Sequence, residues 1–88
     1  MSNYKLKYSK DLIILVRRKP PVFLKIIKAK IEVLRESPKQ GKNIKKLVGT
    51  DNVFRLKVGD YRVIYEVNDE IRIVYIFRIK HRKDSYRH

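Results

Sequence analysis

The chain has 88 residues, with 23 Lys and Arg against 9 Asp and Glu, a net charge of +14, two His, no Cys and 43% hydrophobic residues. A chain this short makes one small domain, residues 1–88, burying roughly 60–65% of its unfolded surface, so a two-domain enzyme with an inter-domain cleft is excluded. Zero Cys excludes a disulfide scaffold, a zinc ribbon, an iron–sulfur site and a thiol nucleophile, while the apolar content is too high for a disordered basic tail.

Along the chain, Tyr4 to Tyr8 alternates as Tyr-Lys-Leu-Lys-Tyr and reads as a short strand. Ser9 follows as a helix N-cap, with Asp11 in the first turn where the helix dipole favours an anion. Arg17-Arg18-Lys19 occupies the matching C-terminal end, and Pro20-Pro21 stops the helix. Pro21 also serves as the first-turn proline of a second helix. In that helix Phe23, Ile27, Ile31 and Leu34 form an apolar stripe, with Ile26 and Val33 expected to widen it. Ser37-Pro38 ends the helix, and Lys39 to Asn43 reads as a polar loop.

From Val53 the hydrophobic period changes from 3.6 to 2. Val53 to Val58, Tyr61 to Val67 and Ile71 to Lys80 read as three strands rich in β-branched and aromatic residues. The fold class expected is α+β: an N-terminal strand and a helical hairpin packed on a small, mainly antiparallel four-stranded sheet, in the order β-α-α-β-β-β. The longest apolar run, Leu12 to Val16, is five residues bounded by charges. A membrane span needs about 20 residues, so a soluble, cytoplasmic protein with no membrane partner is expected.

Hairpin register divides the charge. Gly59-Asp60 suits a two-residue type II′ turn, which pairs Val58 with Tyr61, Lys57 with Arg62, Leu56 with Val63 and Arg55 with Ile64. Phe54, Leu56, Val58, Tyr61, Val63 and Tyr65 then face the core, and Arg55, Lys57 and Arg62 face the other way. For the next hairpin, a three-residue Asn68-Asp69-Glu70 loop pairs Val67 with Ile71, Tyr65 with Ile73, Val63 with Tyr75 and Tyr61 with Phe77. It also sets Glu66 opposite Arg72. The cationic side continues through Arg78, Lys80 and Arg82. Lys57 opposite Arg62 opposes like charges on adjacent strands, which destabilises by a few tenths of a kcal/mol or more. Such a cluster on a rigid sheet fits an anion site; a solvated basic face explains it equally well.

The chemistry allowed is narrow. A two-metal nuclease wants clustered carboxylates, whereas Asp51, Asp60, Glu66, Asp69, Glu70 and Asp84 are dispersed, mostly in turns. His81 and His88 sit in the tail at a spacing without metal logic, and the three glycines make no phosphate loop. No metal and no small-molecule cofactor is expected. RNA remains feasible, because its own 2′-hydroxyl is an internal nucleophile and the protein need only orient it, move protons and neutralise the phosphorane.

Three blocks then carry a family resemblance: Lys46-Leu47-Val48-Gly49, the run from Val53 to Tyr65 containing Gly59-Asp60-Tyr61-Arg62, and His81-Arg82-Lys83-Asp84-Ser85-Tyr86-Arg87. Together they resemble the RelE branch of the RelE/ParE toxin superfamily, and the preceding strand and helical hairpin agree with its architecture. The resemblance implies a type II toxin that cuts mRNA on the ribosome and is silenced by a cognate acidic, RelB-like antitoxin. It also implies attack by the 2′-hydroxyl, leaving a 2′,3′-cyclic phosphate and a 5′-hydroxyl end.

Carried over by position, the resemblance makes Arg62 the holder of the scissile phosphate and Arg82 the group assisting the leaving oxygen. Tyr86 becomes the ring that orients a nucleotide, and Lys57 the residue nearest the 2′-hydroxyl. Arg55 stands where the best-known members have lysine, and arginine stays protonated, so it is a poor general base. A base would then be Lys57, whose neutral amine is favoured by the positive charge of Arg55 and Arg62, or His81. Lys42, Lys45, Lys46, Arg78, Lys80, His81, Lys83 and Arg87 are candidate RNA contacts. Two other readings stay open: a ParE-like inhibitor of DNA gyrase with the same fold, and a non-catalytic basic RNA-binding module.

Overall fold

The computed structural model describes residues 3–83. Strand β1 (Lys5–Tyr8) leads into α1 (Lys10–Arg17) and α2 (Pro21–Ile31), and a 3₁₀ turn (Glu32–Arg35) extends the second helix. Strands β2 (Ile44–Lys46), β3 (Val53–Val58), β4 (Tyr61–Asn68) and β5 (Ile73–His81) follow. They form one sheet in the order β1-β5-β4-β3-β2, parallel between β1 and β5 and antiparallel elsewhere. Among the described residues no helix is long and apolar enough to cross a membrane.

The helix signals act where the sequence puts them. The Ser9 hydroxyl accepts the Leu12 N–H at 3.2 Å, satisfying one of the orphan donors of the first turn, and Asp11 lies in that turn. Pro21 opens α2. The helix tightens to 3₁₀ at Glu32, which swings Leu34 fully inside, while Ile26 and Val33 stay more than half exposed. The apolar stripe is therefore narrower than the periodicity implies. The core comprises Leu12, Ile27, Ile31 and Leu34 from the helical layer. The sheet adds Tyr4, Phe54, Leu56, Val58, Val63, Tyr65, Val67, Val74 and Ile76.

The sheet has five strands, not four. Lys39 to Asn43 is a loop as expected, but Ile44–Lys46 pairs with β3, Ile44 opposite Leu56 and Lys45 opposite Arg55. A three-residue edge strand with two lysines carries almost no alternation, and lysine on an edge is the usual guard against pairing with another chain.

The first hairpin has the expected register throughout. Gly59 has φ +59 and Asp60 is not left-handed, which fits a type II′ turn and not type I′. The second hairpin differs. Asn68 pairs with Ile73 across a four-residue loop, Val67 with Val74, Glu66 with Tyr75 and Tyr65 with Ile76. Val74 and Ile76 are fully buried, whereas Tyr75 is 38% exposed. The ladder then breaks between Ile64 and Tyr65, and resumes with Ile64 opposite Arg78, Arg62 opposite Lys80 and Tyr61 opposite His81.

Tertiary contacts at the turn explain the difference. The Asn68 carboxamide oxygen accepts the Glu70 and Ile71 N–H groups at 3.0 and 3.2 Å, an Asx turn that lengthens the loop. Arg72 takes a left-handed φ of +56, a conformation costing about 1 kcal/mol or more for a non-glycine residue. Its guanidinium lies 4.0 Å from the centre of the Tyr4 ring and donates to the Tyr4 hydroxyl at 3.1 Å. The expected Glu66–Arg72 pair does not form; Glu66 accepts from Asn52 at 3.1 Å instead.

Asp69 completes this cluster, accepting from the Tyr4 hydroxyl at 2.5 Å and from the Lys39 ammonium. The Lys39 and Tyr4 hydrogen bonds hold the Asp69 carboxyl below its ordinary value. A folded value below the unfolded 3.8 stabilises the protein at pH above 3.8, and that stabilisation disappears as pH falls through the folded value. Thermal unfolding of wild type and Asp69→Asn between pH 6 and 2.5 should therefore converge at the acid end, with wild type the more stable above pH 4. Parallel curves would remove Asp69 from the acid response.

Candidate nucleic-acid interface

The helices cover one face of the sheet and leave the other open. On that open face the ladder aligns two cross-strand rows: Lys45, Arg55, Ile64 and Arg78 on β2 to β5, and Lys57, Arg62 and Lys80 on β3 to β5. Six of these seven residues are cations. Opposed like charges destabilise a ladder by about 0.2–1 kcal/mol a pair, so the rows oppose folding and call for an anion.

Between the rows lies a groove of about 600 Å³. Arg55, Arg62, Arg78, Lys80 and Arg82 supply its charge, and Leu47, Ile64 and Phe77 form its apolar part. Among the described residues no carboxylate lines it. Arg55 and Arg62 are half-buried, and among the described residues neither has an ion-pair partner. One Nη of Arg62 donates to the Gly59 and Tyr61 carbonyls at 3.3 and 3.2 Å, which fixes the guanidinium at the turn without neutralising it. Arg82 is joined to the same turn, its N–H donating to the Asp60 carbonyl at 2.6 Å and its Nε lying 3.9 Å from the Asp60 carboxylate. The turn that sets the hairpin register thus also positions two groove cations.

Arginine presents a planar fork matched to phosphate oxygens, and its charge survives burial. The apolar part of the groove lowers the local dielectric, which would strengthen the interactions of these cations with an anion placed there. Among the described residues no group of three His, Cys, Asp or Glu is gathered as a metal site.

The other sequence candidates distribute as follows. Lys57 is the ladder partner of Arg62 but is exposed and lines a neighbouring recess of about 290 Å³ with Lys30, Gln40, Lys42 and Asn43. Lys45 is exposed at the end of the Arg55 row, and Lys46, opposite Phe54, is exposed at the sheet edge. His81 falls outside the groove, paired with Tyr61 on the helix-covered side; its ring meets the Tyr61 ring edge-on at 5.0 Å and its Nδ1 accepts the Lys83 N–H at 3.1 Å. Lys83 is exposed. Tyr86 and Arg87 lie outside the described residues.

Two corrections follow from the second hairpin. Val74 and Ile76, which the expected Val63–Tyr75 register turns toward the basic face, are core residues, and Phe77, expected opposite Tyr61 in the core, lines the groove. Residues 73–77 are all apolar or aromatic, so alternation carries no signal for which of them is inside.

Comparison with known proteins is consistent along most of the chain. The family model for the ParE toxin of type II toxin–antitoxin systems matches residues 4–86. The RelE1 protein of Methanocaldococcus jannaschii is 40% identical over 70 residues, 77% of this chain and 78% of that protein. In structure the chain is similar to the archaeal RelE–RelB complex from Pyrococcus horikoshii OT3, with a TM-score of 0.77 and 27% identity over 91% of this chain and 96% of that one. A doubly substituted E. coli toxin RelE in the free state gives a TM-score of 0.78 and 25% identity, over 94% of this chain and 87% of that one. With sequence, family model and fold in agreement, the chain belongs to the RelE/ParE superfamily of toxins of type II toxin–antitoxin systems.

Proposed function

We propose that the chain, acting as one toxin domain, is an endoribonuclease that cuts mRNA on the ribosome and so stops translation in the cytoplasm. The observation that carries this reading is the groove: four cations on strands and Arg82 just beyond β5, an apolar floor and, among the described residues, no carboxylate. Such a site suits a phosphodiester whose nucleophile is already attached. Attack of the 2′-hydroxyl on the adjacent phosphorus forms the 2′,3′-cyclic phosphate and breaks the bond to the 5′-oxygen, which leaves with a proton. Arg62 and Arg55 neutralise the extra charge of the phosphorane, Arg82 stabilises the leaving oxygen, and Lys57, the ladder neighbour of Arg62 at the edge of the groove, is assigned to take the 2′-hydroxyl proton. Tyr86 is assigned to orient a nucleotide. Charge neutralisation comes from side chains in this scheme, so no metal is required. Lys42, Lys45, Lys46, Arg78, Lys80, Lys83 and Arg87 bind the backbone of mRNA or ribosomal RNA.

The partner that silences it is an acidic, RelB-like antitoxin, in keeping with the RelB-bound state of the Pyrococcus horikoshii relative. The net charge of +14 favours such a partner.

Induced expression followed by primer extension tests the reading. Codon-positioned cuts with 5′-hydroxyl ends are expected. Because the matching family model is that of ParE, a gyrase inhibitor is the second reading: intact mRNA with arrested DNA supercoiling would establish it and reject the nuclease.

A further inference from the structure

Phe77 is the one residue within β4 and β5 that the ladder between them does not use. Tyr65 pairs with Ile76 and Ile64 with Arg78, so these are successive pairs and Phe77 is the extra residue of a β-bulge. Without it, Ile76 facing the core and Arg78 facing the groove would already alternate correctly. Nor does packing account for the side chain. Phe77 belongs neither to the buried core nor to the partly buried hydrophobics packed against it. It is half-buried, its ring stacks on Tyr75 with centroids 6.2 Å apart and planes 24° from parallel, and it lines the groove beside Arg78. Bulges beside functional sites commonly re-aim a side chain. This one puts two consecutive residues, an aromatic and an arginine, into the same cationic groove.

A nucleotide has the matching composition, a charged phosphate beside a flat apolar base. We propose that Phe77 is a nucleobase-stacking residue: a base of single-stranded RNA lies on its ring, over the floor made by Leu47 and Ile64, while Arg55 and Arg78 hold the flanking phosphates. Each stacked base on an aromatic residue strengthens binding roughly 5- to 100-fold, with little dependence on base identity. The inference deepens the RNA reading of the groove, but it concerns binding and not cleavage.

The test uses the full chain with two probes that lack a nucleophile, a short 2′-O-methyl oligoadenylate and an abasic phosphodiester oligomer of equal length. Wild type is expected to prefer the base-bearing probe. Phe77→Leu, which keeps apolar volume and loses the π face, should weaken that probe roughly 5- to 100-fold and leave the abasic one unchanged. Phe77→Trp should bind like wild type. The sequence has no tryptophan, so its fluorescence reports this site alone and should be quenched by oligoadenylate only. Equal binding of both probes by wild type, binding of neither, or a Phe77→Leu variant indistinguishable from wild type overturns the assignment. Base-dependent binding in a protein that leaves mRNA intact would reject the nuclease reading and keep the role of Phe77; cleavage without base-dependent binding would do the reverse.

Discussion

Replacing Arg62 with alanine is expected to lower the rate of mRNA cleavage by about 10²–10³-fold, the usual effect of removing one preorganised group that stabilises a developing oxyanion, and to relieve growth arrest on induction. Stability should not fall with it. Among the described residues the Arg62 side chain donates to the Gly59 and Tyr61 carbonyls alone, at the partly exposed end of the hairpin, and its ladder neighbours Lys57 and Lys80 carry the same charge. Removing the middle charge of that row relieves repulsion of about 0.2–1 kcal/mol per pair. The melting temperature of Arg62→Ala should therefore equal or exceed that of wild type. Cleavage at the wild-type rate would take Arg62 out of the site; lost activity together with lost stability would make its role structural. The opposite movement of activity and stability is the signature of a residue kept for function.

In β5, Ile76→Ala should be strongly damaging and Tyr75→Ala nearly silent. Ile76 is fully buried opposite Tyr65, and Tyr75 is 38% exposed on the open face. Truncating a buried isoleucine costs about 2–5 kcal/mol, whereas an exposed side chain contributes less than about 1 kcal/mol. For a domain of this size the first lowers the melting temperature by about 10–30 °C and the second by only a few degrees. Thermal unfolding followed by circular dichroism separates them. The uniform register that alternation favours, with Tyr75 inside opposite Val63, demands the reverse order.

That contrast also marks where local reasoning stops. In the first hairpin the turn is two residues, one of them glycine, and the flanking residues alternate without exception from Phe54 to Val63. Turn geometry and side-chain period then agree, and Arg55, Lys57 and Arg62 fall on one face by arithmetic. Both ends of α1 and the start of α2 were equally legible, since Ser9, Asp11, Pro20 and Pro21 act on their own backbone neighbourhood; the end of α2 was not, because the chain tightens to 3₁₀ at Glu32, ahead of Ser37-Pro38. The edge strand at Ile44 was not, because a single apolar residue between lysines has no period. Nor was the exclusion of His81 from the groove, which follows from a ladder partner twenty residues away.

Local pattern was sufficient for the helical hairpin, the first hairpin and the face that carries three of its cations, because each depends on contacts within a few residues. The length of the Asn68–Ile73 loop, and with it the identity of the core residues in β5, depends on Tyr4 and Lys39, which meet Asp69 and Arg72 only after the chain has closed. The bulge depends on a change of parity along β5: Val74 and Ile76 face the core opposite Val67 and Tyr65, then Ile79 and His81 do so opposite Val63 and Tyr61. One extra residue accommodates that change. A period of two cannot announce its own interruption, so the residue that absorbs it, Phe77, becomes visible as part of the groove only in the folded sheet.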